Sequence, residues 1–234
     1  MNFLTAEWRK LVVVNYEIDP NVLLKYVPDG TELDFYHGKC YVSLVGFMFL
    51  NAKLLGISVP FHRNFEEVNL RFYVKKKENS TWKRGVVFVK EIVPKAALSL
   101  VANTFYNENY KTLPMKNKIE IKDKNLHVSY AWKEKNWHSI DIIAENEEKA
   151  MEDHSEFEFI TEHYFGFTKN DKNTLEYEVC HPKWTYYPII NHLIKVDFEE
   201  VYGQDFSCLN EVQPISVMLA EGSKIEVKPK SKIV

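Results

Sequence analysis

The chain has 234 residues, 45% of them hydrophobic and 27% charged, with a formal net charge of -3. That balance excludes a disordered chain and lacks the basic face that a nucleic-acid binder needs. No segment approaches the roughly 18 apolar residues of a membrane-spanning helix, and the length suits a single domain over 1–234.

Aromatic residues reach 14%, a composition that favours strands. Residues 8–18 (WRKLVVVNYEI) read as a strand, and Asp19-Pro20 opens a short helix that stops before the turn Pro28-Asp29-Gly30. Residues 40–50 are apolar almost throughout, which suggests a strand covered on both faces. From 65 to 75 the pattern alternates: Val68, Leu70, Phe72 and Val74 point one way, Glu67, Asn69, Arg71 and Tyr73 the other. A polar turn at Glu78-Asn79-Ser80 leads into a strand from Trp82 to Val93, giving an antiparallel hairpin. The run Lys75-Lys76-Lys77 reads as its solvated end. Pro94 breaks the strand, and residues 95–106 carry a helical apolar pattern. Further strands are expected near 116–122, 125–132, 137–145, 164–169, 174–180, 184–197, 213–220 and 223–228, with a short helix at 154–161 preceded by Asp153 or His154.

Cys40, Cys180 and Cys208 are odd in number and lack metal spacing, so a reduced, cytoplasmic setting is expected. The start, MNFLTAEWRK, is charged by position 7 and has no apolar stretch of signal-peptide length. No glycine-rich phosphate loop, nucleophile elbow or zinc-ligand spacing is present, and no cofactor or metal is assigned.

Several side chains stand out as candidates for chemistry. Lys95 follows Pro94 where a strand gives way to a helix. A helix N-terminus disfavours an ammonium group, apolar neighbours such as Val93 and Ala97 disfavour it further, and a neutral amine can attack a carbonyl. The plain alternative is an exposed first-turn lysine. Glu67, Asn69 and Arg71 share one strand face, which either lines a polar lumen or is the wet side of an open sheet. Arg71 could hold a carboxylate or phosphate, or pair with Glu67. His62 and Arg63 follow Pro60-Phe61 in a loop, where binding residues concentrate. His163 and His181 are further candidates, with a structural histidine the commoner outcome.

Motifs along nearly the whole chain resemble the YqjF-like family of bacterial proteins, a domain-of-unknown-function family in the acetoacetate decarboxylase-like superfamily. They include Phe3-Leu4-Thr5-Ala6 with Trp8-Arg9, Gly30-Thr31-Glu32-Leu33-Asp34, Ser43-Leu44-Val45-Gly46-Phe47, and the long block from Pro60 to Val74. Glu91-Ile92-Val93-Pro94-Lys95, His181-Pro182 with Trp184, and Ala220-Glu221-Gly222-Ser223 continue the match. The decarboxylases carry a Glu-x-x-x-Pro-Lys-Lys signature whose first lysine forms a Schiff base. Lys95 matches that lysine, Ala96 stands where the second, activating lysine would be, and the spacing from Glu91 to Pro94 is one residue shorter. Arg9 occupies a place similar to their carboxylate-holding arginine, and Glu66 and Glu67 are candidates for their active-site glutamate.

The resemblance implies a mainly β, β-rich α+β fold of antiparallel sheets forming a cone-like barrel or sandwich with a few short helices. It implies a pocket for a small, anionic ligand, a keto acid or carbonyl compound, acted on through a Lys95 imine; a homo-oligomer is also implied. The alternative is a non-catalytic binding or interaction module that retains the fold. No nucleic-acid or membrane partner is expected.

Overall fold

The computed structural model describes residues 2–58, 62–96, 109–169 and 173–233. In chain order the strands are β1 (Leu4–Glu17), β2 (Glu32–Leu33), β3 (Tyr41–Leu54), β4 (Phe65–Glu78), β5 (Thr81–Val93), β6 (Tyr110–Thr112), β7 (Met115–Lys122) and β8 (Asn125–Lys133). They continue with β9 (Trp137–Glu145), β10 (Lys149–Ala150), β11 (Phe165–Lys169), β12 (Thr174–Cys180), β13 (Thr185–Tyr187), β14 (Ile189–Lys195), β15 (Ser216–Val227) and β16 (Ser231–Lys232). The helix expected over 95–106 lies, from residue 97 onward, outside the described residues.

Two sheets carry the fold. The larger has 12 strands, and its central path runs β15-β1-β3-β4-β5-β11-β12. Val179 and Cys180 of β12 pair back onto Val227 and Glu226 of β15, so these strands form a closed ring of hydrogen bonds. The sheet is mixed, because β5 runs parallel to both β6 and β11. The other pairings of the large sheet are antiparallel, as expected. The smaller sheet, β14-β9-β8-β7, is antiparallel throughout and has four strands.

The alternation in β4 decides how these layers meet. Val68, Leu70, Phe72 and Val74 are each 0% exposed and pack toward Leu126, Val128, Tyr130 and Ile142 of the small sheet. Burying a side chain of this kind contributes about 1.5–3 kcal/mol. Gly46 of β3 faces the same layer, and a Cβ there would come within 2.8 Å of the Tyr130 ring, so glycine allows the sheets to approach. The opposite face of the ring joins Val13, Val45, Phe47, Phe49 and Phe65 in a second apolar cluster.

Helix starts follow the sequence chemistry. The Asp19 carboxylate accepts from the Asn21 amide at 2.9 Å ahead of the helix Pro20–Leu23. The helix Glu156–Thr161 begins with Ser155, whose hydroxyl accepts from the Glu158 amide at 3.1 Å, rather than with Asp153 or His154.

Three other expectations change. The strand expected at 184–197 divides at Pro188, which has no amide to donate. Before it, β13 joins the large sheet, and after it β14 joins the small one. The strands expected at 213–220 and 223–228 are one strand, β15, which passes through Gly222 at φ 83°. A side chain at Gly222 would meet the Trp8 carbonyl at 2.1 Å. The lysine run is less solvated than its composition suggests: Lys76 bonds Glu176 of β12 at 2.5 Å with its side chain 11% exposed. Helical turns over Phe198–Tyr202 and Gln204–Glu211 fill the segment between β14 and β15.

Candidate functional site

Inside the strand ring the described residues line an open cavity of about 230 Å³. Much of its wall is aromatic. Trp8 packs edge-on against Phe47 and Phe49, with centroids 5.3 and 5.9 Å away, and Phe49 stacks on Phe65 at 4.7 Å. His181 stacks on Trp184 at 4.1 Å, and both reach the wall.

One stretch of wall is polar. The period of two that sends Val68 to Phe72 outward sends Glu67, Asn69 and Arg71 inward, and all three line the cavity. Glu67 and Asn69 are each 2% exposed. The polar face of β4 is therefore a lumen face and not the wet side of a sheet. Asn69 donates to Glu67 Oε1 at 3.0 Å, and Tyr110 donates to Glu67 Oε2 at 3.0 Å. Glu91 stands directly opposite Asn69 and beside Tyr110 in the strand register, and it is 3% exposed. The cavity thus has two buried carboxylates on adjacent strands.

Arg71 is the guanidinium of this wall. Its Nη2 donates to the Ile160 carbonyl at 3.3 Å, and its plane lies 5.6 Å from the Tyr73 ring. Its Nε is buried and has no hydrogen-bond partner. Glu67 is not its ion-pair partner, and among the described residues no carboxylate is. A guanidinium carries five N–H donors, so most of the Arg71 donor set is uncommitted.

The helix that supplies the Ile160 carbonyl is itself tied down. His163 Nδ1 donates to Phe159 O at 2.6 Å, and Nε2 lies 3.2 Å from Asp34 Oδ2. Arg84 Nε donates to the same Asp34 oxygen at 2.7 Å. Burial pulls His163 down to about 4, with Asp34 working against it. Burial also works to raise Asp34, but His163 and Arg84 outweigh it and hold that carboxyl below its usual range. Burial likewise lowers His181, whose Nδ1 donates to the Pro182 carbonyl at 2.9 Å.

The DUF2071 family, described as an uncharacterized conserved protein, matches residues 5–224. The chain belongs to this family. It is 26% identical over 212 residues to the uncharacterized protein YqjF of Bacillus subtilis, covering 90% of this chain and 76% of that protein. The fold is also that of acetoacetate decarboxylase-like structures. The acetoacetate decarboxylase of Legionella pneumophila superimposes with a TM-score of 0.65 at 10% identity, covering 99% of this chain and 87% of that one. An acetoacetate decarboxylase-like enzyme from Sphingomonas wittichii gives 0.67 at 10% identity, covering 100% and 94%. The enduracididine biosynthesis enzyme MppR, complexed with pyruvate, gives 0.68 at 8% identity, covering 99% and 91%.

In this DUF2071 chain the residues singled out from sequence fall into two groups. His62, Glu67 and Arg71 line the cavity, together with His163 and His181. Lys95, Arg9, Arg63 and Glu66 are not among its described lining residues. Lys95 is half-buried, two residues past Val93, the last residue of β5. Arg9 pairs with Glu7 at 2.6 Å and with Glu221 at 3.4 Å. Arg63 is exposed and donates to Asn51 at 3.2 Å. Glu66 lies on the opposite side of β4 from Glu67 and is 7% exposed.

Glu91, Tyr110 and the Asp34–His163 contact were not predicted as site features. The β4 alternation could have located Glu91, had the bulge that shifts the β4–β5 register next to Arg71 been foreseen. Tyr110 and Asp34 arrive through long-range pairing, which leaves no local signal. Among the described residues no helix is long and apolar enough to cross a membrane. No group of three or more His, Cys, Asp or Glu among them is placed to hold a metal ion.

Proposed function

We propose that this DUF2071 chain binds a small keto acid or related carbonyl compound in the cavity, with Arg71 holding its carboxylate. The observation that carries the reading is Arg71 itself, a guanidinium in a largely apolar wall with no ion-pair partner among the described residues. Leaving such a cation unpaired is costly, and a bidentate carboxylate would satisfy it. Glu67 and Glu91 sit in the same wall, where they can exchange protons with a bound carbonyl compound. A structural neighbour complexed with pyruvate adds support from analogy of fold.

The reading extends to Lys95 as the amine that condenses with the ligand carbonyl. The nitrogen would attack the carbonyl carbon, one water would leave, and the protonated imine would accept electrons from an adjacent bond. A second reading keeps the ligand but not the imine: the chain is then a binding module. The absence of Lys95 from the described cavity lining favours it.

Two measurements separate these. Calorimetric titration with pyruvate and acetoacetate should show binding to the native chain and at least tenfold weaker binding to Arg71→Gln. Equal affinity for both proteins would end the Arg71 reading. Borohydride reduction in the presence of the same acids, followed by mass spectrometry, should give an adduct that disappears in Lys95→Ala. If no Lys95-dependent adduct forms, the binding-module reading replaces the imine.

A further inference from the structure

The cavity is not uniform along its length. At one end Arg71 receives its fixed contact from Ile160 O, and Thr161 and His163 complete the wall. Six residues back along β4 the lining is Phe65, stacked on Phe49. Leu4, Leu54 and Val227 also line the wall, brought together because Leu4 opposes both Leu54 and Val227, while Val179, which opposes Val227, donates its amide to the Tyr164 carbonyl beside His163. The aromatic wall comes up to the Arg71 end: His181, near enough to feel the Arg71 charge, stacks on Trp184 at 4.1 Å, Trp184 meets Trp8 edge-on at 6.4 Å, and Trp8 leads on to Phe49. A four-carbon keto acid has the reach of about one and a half extended residues, roughly 5 Å. Anchored at Arg71, it would leave most of this aromatic wall untouched.

We infer that the ligand is an amphiphilic acid, with its carboxylate at Arg71 and an aryl or medium-length alkyl group against the His181, Trp184 and Trp8 rings. The inference rests on the reading of Arg71 as the carboxylate site and adds the class of substrate. Apolar surface on the ligand replaces water along a wall that, among the described residues, is mostly aromatic and aliphatic.

The test is calorimetric titration of the native chain and of Arg71→Gln with straight-chain α-keto acids of three to eight carbons, and with phenylpyruvate. Each methylene that reaches these rings should tighten binding about threefold to fourfold. Phenylpyruvate should bind at least a hundredfold more tightly than pyruvate, and Arg71→Gln should weaken every member. If affinity stays flat or falls with length while pyruvate binding still depends on Arg71, the amphiphilic class is overturned and the carboxylate site stands. If no acid binds the native chain, the carboxylate site is wrong and the inference falls with it. A chain-length gain that persists undiminished in Arg71→Gln would overturn both.

Discussion

The two faces of β4 are both buried, yet only one of them is filled. Outward, Val68, Leu70 and Phe72 meet the small sheet with no exposure at all. Inward, Glu67, Asn69 and Arg71 surround a cavity of about 230 Å³. The outer face does what a core does: it removes apolar surface from water at close packing. The inner face carries buried carboxylates and a guanidinium without an ion-pair partner among the described residues, which a chain selected for stability alone would replace with apolar side chains. The difference teaches that the small sheet and the outer face stabilise the fold, while the inner face lines a cavity, the place where the proposed ligand would sit.

The largest expected effect tests the filled side. Phe72→Ala should destabilise the chain by about 3–5 kcal/mol in urea unfolding. Phe49→Ala, whose ring already borders open space, should cost clearly less. Equal losses would erase the distinction between the faces.

Acid should act next, through the inner side. An unfolded histidine takes up its proton near pH 6.5, whereas His163 takes it up near 4. Between those values the unfolded chain binds more protons, so stability should fall as pH drops from 6.5 toward 4. The slope has an upper limit of about 1.4 kcal/mol per pH unit. In His163→Gln that slope should flatten, and an unchanged slope would remove His163 from the account.

Gly222→Ala should cost about 1–3 kcal/mol, because the site has φ 83° and its new methyl meets the Trp8 carbonyl. Since Trp8 lines the cavity, ligand affinity should fall with it; a loss of stability with intact binding would place Trp8 outside the site. The smallest effect is expected at Arg9. Arg9→Ala breaks half-exposed pairs with Glu7 and Glu221 and should change stability by less than about 1 kcal/mol and leave keto-acid binding as it was. A large loss of binding there would move the carboxylate site from Arg71 to Arg9.

How legible this was in the sequence differs by scale. The alternation from Val68 to Val74 fixed the strand, its outward face and the identity of the inward residues. Whether that inward face was wet or enclosed depended on ring closure by Val179 and Val227, residues remote in sequence from β4. The same limit explains β15, where Gly222 looked like a break but is a position at which β1 comes too close for a side chain. Pro188 is the converse case: a run that reads as one strand is two, because the missing amide falls where the chain changes sheets. At the site, motif matching pointed to Arg9, whereas the strand pattern pointed to Arg71. Three-dimensional pairing gives Arg9 two carboxylates and leaves Arg71 with a single carbonyl.

The most direct test of the central claim is a crystal structure of the chain grown with phenylpyruvate. The account predicts the carboxylate on the Arg71 guanidinium and the ring against Trp184 and Trp8. A ligand bound elsewhere, or one seated in the cavity with its carboxylate away from Arg71, would contradict it.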